Sequence, residues 1–190
     1  MNFELPWTQC GVIAELAKRL NGVSPQFGKT VLQKMVFLLQ EVYKVDVGYT
    51  FGFHTYGPFA GELLGDLDFA ERMEAVFVRP VDGTYGNGYA IEPGNRIDEY
   101  LTKATPFLNE HRKELDSLVK AFGSKTAKDL ELLTTIVYLN KEIMWDEEKM
   151  SRDEAIGKIR ELKPKFTICD VQHGMDELEK RHHVKLVFKA

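Results

Sequence analysis

Gly28-Lys-Thr-Val-Leu-Gln-Lys-Met-Val-Phe-Leu-Leu-Gln40, then Gly48-Tyr-Thr-Phe-Gly-Phe-His54, then the turn Tyr56-Gly57-Pro58, form the most informative stretch of the chain. Within it Leu32, Met35, Val36, Leu39, Val42 and Tyr43 recur at steps of three, one, three, three and one. That is the period of an amphipathic helix with a wide apolar face. Phe37 and Leu38 add apolar surface outside the stripe, so the spacing predicts a central helix over about residues 28–44 that packs on more than one side. Tyr49 to Thr55 alternate aromatic with small or polar side chains, as a short half-buried strand does. Pro58 suits the first turn of a further helix, where its missing N–H loses nothing.

Upstream, a first helix is expected from Thr8 to Asn21, with Val12, Ile13, Leu16, Ala17 and Leu20 on one face. Asn21-Gly22 ends it and Ser24-Pro25 prevents its continuation. Downstream, Phe59, Leu63, Leu67, Ala70 and Met73 make the buried stripe of a third helix. Val76-Phe77-Val78 and Tyr89-Ala90-Ile91 read as two strands around the glycine-rich segment Asp82 to Gly88, a hairpin. Helix, helix, short strand, helix, hairpin is the order of a winged helix, with the hairpin as its wing.

The second half reads as helical. Ile97 to Phe122 holds one or two helices interrupted near Pro106. A longer helix begins near Thr126, with Asp129 as its capping partner, and buries Leu130, Leu133, Val137 and Ile143. Ser151 with Glu154 is a capping box for a short helix that Pro164 closes, and Thr167 with Asp170 opens a last one. Val184 to Phe188 is a terminal strand or a docked arm. The expected architecture is α+β and mainly α: a winged-helix-like module over residues 1–103 and a packed helical part over 104–190. The two together are short enough to form one compact domain.

Composition sets further bounds. With 44% hydrophobic and 28% charged residues, the chain can bury a core without disulfides, and its two cysteines, Cys10 and Cys169, are expected to be free thiols in the cytoplasm. The N-terminus lacks the basic and apolar regions of a secretory signal. No apolar run reaches the roughly 20 residues that span a bilayer, so no membrane association is expected. A net charge of -4 gives no electrostatic footprint for nucleic acid on the scale of the chain.

The stretch Lys29-Thr-Val-Leu32-Gln33-Lys34-Met-Val-Phe37-Leu-Leu-Gln40, followed by Tyr56-Gly57-Pro58, resembles the YwgA-like proteins and the related SocA (Panacea) domain. Tyr89-Ala-Ile91-Glu-Pro-Gly94 is similar to the Tyr-x-Leu-Thr-x-x-Gly ending of that family's hairpin, with Glu92 in place of the threonine. The resemblance covers about the first hundred residues. Its SocA-like members imply an antitoxin or proteolytic adaptor that works by binding protein; its YwgA-like members imply no settled function. The residues carrying it are Lys29, Leu32, Gln33, Lys34, Gln40, Tyr56, Gly57 and Pro58.

No catalytic signature accompanies these motifs. Gly28-Lys29-Thr30 suggests a phosphate loop, but five residues separate Gly22 from Gly28 where that motif takes four, and Pro25 removes one of the backbone donors a phosphate requires. Cys169 and His173 share a helical face and supply at most half a zinc site, which needs Cys10, His182 or His183 to complete it. The reading favoured is Cys169 packed as a small apolar residue and His173 on the surface. No metal or cofactor is therefore assigned. His54 reads as a hydrogen-bonded structural histidine rather than a base. Gln40 is expected to be partly buried and to fix the Tyr-Gly-Pro turn through loop backbone, with two solvated glutamines at 33 and 40 as the alternative.

The third helix carries Glu62, Asp66, Asp68, Glu71 and Glu74 against the one cation Arg72. A recognition helix needs neutral or basic side chains in the major groove, and this charge would repel phosphates. Glu62, Asp66 and Asp68 are therefore the candidate partner-binding residues, facing a basic protein such as a toxin or a protease component. The resulting expectation is a non-enzymatic protein-binding antitoxin or adaptor. The alternative is a transcription regulator using Lys163-Pro-Lys165 and Lys180-Arg-His-His-Val-Lys185. An enzyme with an unrecognised site is the third class.

Overall fold

The computed structural model describes residues 6–82, 88–145, 150–182 and 184–188. The tip of the expected wing, residues 83–87, lies outside them, as do His183 and the side chains of Arg181 and His182. The protein is mainly helical with two small antiparallel sheets. Helices α1 (Trp7–Leu20) and α2 (Lys29–Glu41) are followed by the hairpin β1 (Gly52–His54) and β2 (Gly57–Phe59). Then come α3 (Gly61–Arg72) and a second hairpin, β3 (Val76–Val81) with β4 (Gly88–Pro93). This is the order expected of a winged helix, with one strand more than the sequence reading supplied.

Every residue of α2 from Val31 to Leu39 is buried, so the helix is enclosed on all sides, as the added Phe37 and Leu38 implied. Around it stand β2 and β4 from its own half and α6 (Arg112–Phe122) and α7 (Ala127–Trp145) from the other. It ends three residues earlier than the periodicity suggests. Lys44 adopts the left-handed region at φ 59°, which turns the chain away and sends Val45 N–H back to the Leu39 carbonyl at 3.2 Å.

The segment from 49 to 60 differs most from the sequence reading. Pro58 is not in a helix. It lies in β2, opposite Phe53, in a two-stranded sheet where a missing N–H is tolerated. The helix starts at Gly61, so Phe59 belongs to the hairpin and Met73 to the helix end, while Leu63, Leu67 and Ala70 form the buried stripe.

Three helices instead of one or two occupy 97–122: α4 (Ile97–Lys103), α5 (Thr105–Glu110) and α6. Pro106 stands in the first turn of α5, where it is accommodated. The long α7 is buried continuously from Leu130 to Val137 and joins α2 to α9 (Ile168–His182), with α8 (Arg152–Leu162) against both α7 and α9. All three capping motifs form: Thr126 with Asp129, Ser151 with Glu154, and Thr167 with Asp170. The 184–188 segment is a docked arm and not a strand. Asn140 of α7 donates to the Lys185 carbonyl at 3.3 Å and accepts the Val187 N–H at 2.7 Å, while Leu186 and Phe188 are buried. No helix among the described residues is long and apolar enough to cross a membrane.

Candidate functional site

The Lys34 residue of α2 is in helical phase with Val31 and Leu38 and is as deeply buried as they are, at 2% exposure. Its ammonium donates to the Pro58 carbonyl at 2.6 Å. Beside it, Gln33 (also buried) donates to the Ala60 carbonyl at 2.8 Å and accepts the Ala60 N–H at 2.9 Å. Two consecutive side chains of one helix thus hold the backbone that leads from the β1–β2 turn into α3.

The other end of the turn is held from the C-terminal half. Lys163, the residue that closes α8, is buried and donates to the Thr55 carbonyl. Its ammonium also pairs with Glu131 of α7 at 3.0 Å, and Lys165 reaches the second oxygen of the same carboxylate at 2.7 Å. Lys163 further lies 5.3 Å from the Phe53 ring centroid. Thr135, whose hydroxyl donates to the Glu131 carbonyl at 2.7 Å, packs beneath Gly57. Gly57 has φ +89°, a left-handed conformation that a side chain strains, and its backbone sits directly on Lys34 and Thr135.

Tyr56, at the tip of this clamped turn, is 64% exposed. A cavity of about 270 Å³ opens next to it, between α2, the hairpin and Leu64 of α3. Lys29, Thr30, Lys34 and His54 contribute its polar wall, and Phe59 and Leu64 its apolar wall. Burial, opposed in part by Glu131 and reinforced by Lys163, pushes the Lys34 ammonium down to about 7. His54 is exposed, tilted against the Phe59 ring at 5.0 Å, and no hydrogen bond among the described residues reaches its ring. It is therefore not the hydrogen-bonded structural histidine expected.

Gln40 is partly buried and bonds loop backbone, but at Tyr49, giving 2.9 Å and accepting 3.1 Å. Gln40 does not reach the Tyr-Gly-Pro turn; Lys34 bonds Pro58, and Gln33 bonds Ala60 just beyond it. Lys29 stands over the Tyr89 ring at 4.4 Å and Leu32 is in the core. Gly28 caps α2 in extended conformation, and a side chain there would strike the Tyr89 backbone; close packing on β4 accounts for this glycine without a phosphate.

The candidate partner residues on α3 divide. Glu62 and Asp68 are exposed. Asp66 is half-buried and accepts a 2.8 Å hydrogen bond from the Tyr49 hydroxyl, so it does not lie on the outer side with them. Burial, with Asp66 adding to it, raises the Tyr49 phenol and pushes the neighbouring Cys10 thiol up to about 12. Glu71 is also turned in and accepts the Val78 N–H at 3.3 Å.

Three lysines of the basic segments offered for DNA have acidic partners, while Lys185 is exposed. Lys163 and Lys165 share Glu131, and Lys180 pairs with Asp176 at 2.8 Å. Cys169 and His173 are both exposed, 3.8 Å apart at closest, so Cys169 is not the packed apolar residue expected. No group of three metal-ligating side chains occurs among the described residues. The buried lysine–glutamate cluster escaped the sequence reading because isolated charges look solvated; the helical phase of Lys34 was the available signal. No protein-family model and no curated protein matches this chain.

Proposed function

We propose that this protein is a non-enzymatic binding module for another protein, of the antitoxin or proteolytic-adaptor kind that its resemblance implies, acting in the cytoplasm. The observation that carries the reading is the clamped turn: Lys163 holds Thr55, Lys34 holds Pro58 and Gln33 holds Ala60, while Tyr56 between them faces solvent. Burying ammonium groups to immobilise a surface turn is costly for stability. It is useful where a recognition element must be rigid before its partner arrives, because ordering costs are then met during folding and not during binding. An exposed, immobilised tyrosine is the kind of side chain on which interface energy concentrates. Glu62 and Asp68 on the adjoining helix favour a basic partner and would speed its approach.

The experiment is affinity purification from the native host, identification of the retained protein, and kinetic measurement with both purified components. Tyr56→Ala should weaken the complex by about tenfold or more, mainly through faster dissociation. Glu62→Lys with Asp68→Lys should slow association and flatten its salt dependence. Wild-type kinetics in all three substitutions would refute the proposal.

A further inference from the structure

The cluster beneath the turn is unbalanced in charge. Glu131 pairs directly with the buried Lys163 and the half-exposed Lys165, and the Lys34 ammonium feels the same carboxylate without pairing with it. Lys34 makes no ion pair among the described residues; its bond is to the neutral Pro58 carbonyl. A buried ammonium without a counter-charge is costly, and such sites either neutralise or take an anion. Lys34 lines the cavity beside Tyr56, and no carboxylate is among the described residues of its wall. Every ionisable group of acid–base character among them besides Tyr56 is a lysine or a histidine.

We propose that this cavity is a binding site for a carboxylate on a small apolar body, with the carboxylate against Lys34 and the body against Phe59 and Leu64. The wall chemistry selects that class. Phe59 and Leu64 offer surface to a hydrocarbon or ring, and Lys29, Thr30 and His54 surround the entrance with polar groups. Inorganic phosphate would leave the apolar wall of Phe59 and Leu64 uncovered, so an acid with a hydrocarbon body fits this cavity better. The carboxylate comes either from a free small acid or from the C-terminus of a bound polypeptide. Only the second source rests on the protein-binding reading.

The groups facing Lys34 are Glu131 from α7, Lys163 and Lys165 after α8, Lys29 on its own helix, and His54 and Tyr56 from the hairpin. With the ammonium held near 7, an anion that binds it draws a proton from solution above that pH. Isothermal titration of the whole protein with benzoate, with N-acetylphenylalanine and with inorganic phosphate, in buffers of different ionisation enthalpy, reads both affinity and proton uptake. Benzoate preference indicates a free acid; N-acetylphenylalanine preference indicates a polypeptide terminus. The preferred acid should bind about tenfold more weakly at pH 8 than at pH 6, with uptake approaching one proton at pH 8. Uptake should persist in His54→Gln, and binding should be lost in Lys34→Met. The proposal fails if neither acid binds the wild type, if binding brings no proton uptake, if phosphate binds more tightly than either acid, or if His54→Gln removes the uptake. The wild-type measurements decide the matter even where Lys34→Met does not fold.

Discussion

Removing the Lys34 charge should change how stability depends on pH. Lys34 falls from 10.5 in the unfolded chain to about 7 in the folded protein, chiefly through burial. Between those values the unfolded state binds more protons, so stability rises with pH across this window and is lost as pH falls toward 7. One proton of difference corresponds to about 1.4 kcal/mol per pH unit. From pH 7.5 to 9 the wild type should therefore gain on the order of 2 kcal/mol from this residue. Lys34→Met keeps most of the unbranched stem, removes the charge and gives up the bond to Pro58. Urea unfolding of both proteins, at half-unit intervals from pH 6.5 to 9, gives the comparison. Cys10 is raised toward 12 in the folded state and so acts in the opposite direction near pH 9, but it is common to both proteins and cancels in the difference. The difference curve should be shallow below pH 7 and steepen above it toward about 1.4 kcal/mol per pH unit, with the variant comparatively better off at low pH. Parallel curves for wild type and Lys34→Met would show that Lys34 is not buried as a nearly neutral amine, and the account of the cluster would fall with it.

Two other substitutions test the frame around the site. Leu39→Ala, at a fully buried position in α2, should cost about 2–5 kcal/mol, read from the urea midpoint at unchanged slope; a midpoint that barely moves would contradict the central place of α2. Gly57→Ala puts a side chain at φ +89° while meeting Thr135 only at 3.4 Å, so backbone strain of about 1–2 kcal/mol should dominate. Unchanged stability there would mean that the turn is not held in its left-handed conformation.

The parts of the fold that were legible in the sequence are those governed by short-range rules. Helix α2 announced itself through Leu32, Met35, Val36 and Leu39 in phase, and α8 through Ser151 and Glu154, because periodicity and capping depend on neighbours three or four positions away. Pro58 misled because a proline is equally at home in a first helical turn and in an edge strand; the choice was made by Phe53, its cross-strand neighbour. Within the site, the motif residues were visible but their roles were not. Gln33 and Gln40 are chemically identical and share a helical face, and only the tertiary path of the chain assigns one to Ala60 and the other to Tyr49. Lys163 contacts Thr55 across 108 residues of sequence, a separation at which no local pattern speaks. Asp66 carried the same formal charge as Glu62, and the Tyr49 hydroxyl drew it inward.

The enclosure of α2 by helices from both halves has a consequence during synthesis. Emerging from the ribosome, the chain presents Val31 to Leu39, including its most apolar stretch, well before α6 and α7 have been made to cover it. Until then the nascent N-terminal half can satisfy only part of that surface and is prone to association with other chains. Folding of the finished core must wait for α7, the last wall of α2. A truncation near residue 104 should accordingly yield a sticky, chaperone-dependent fragment, even though its order of elements looks complete.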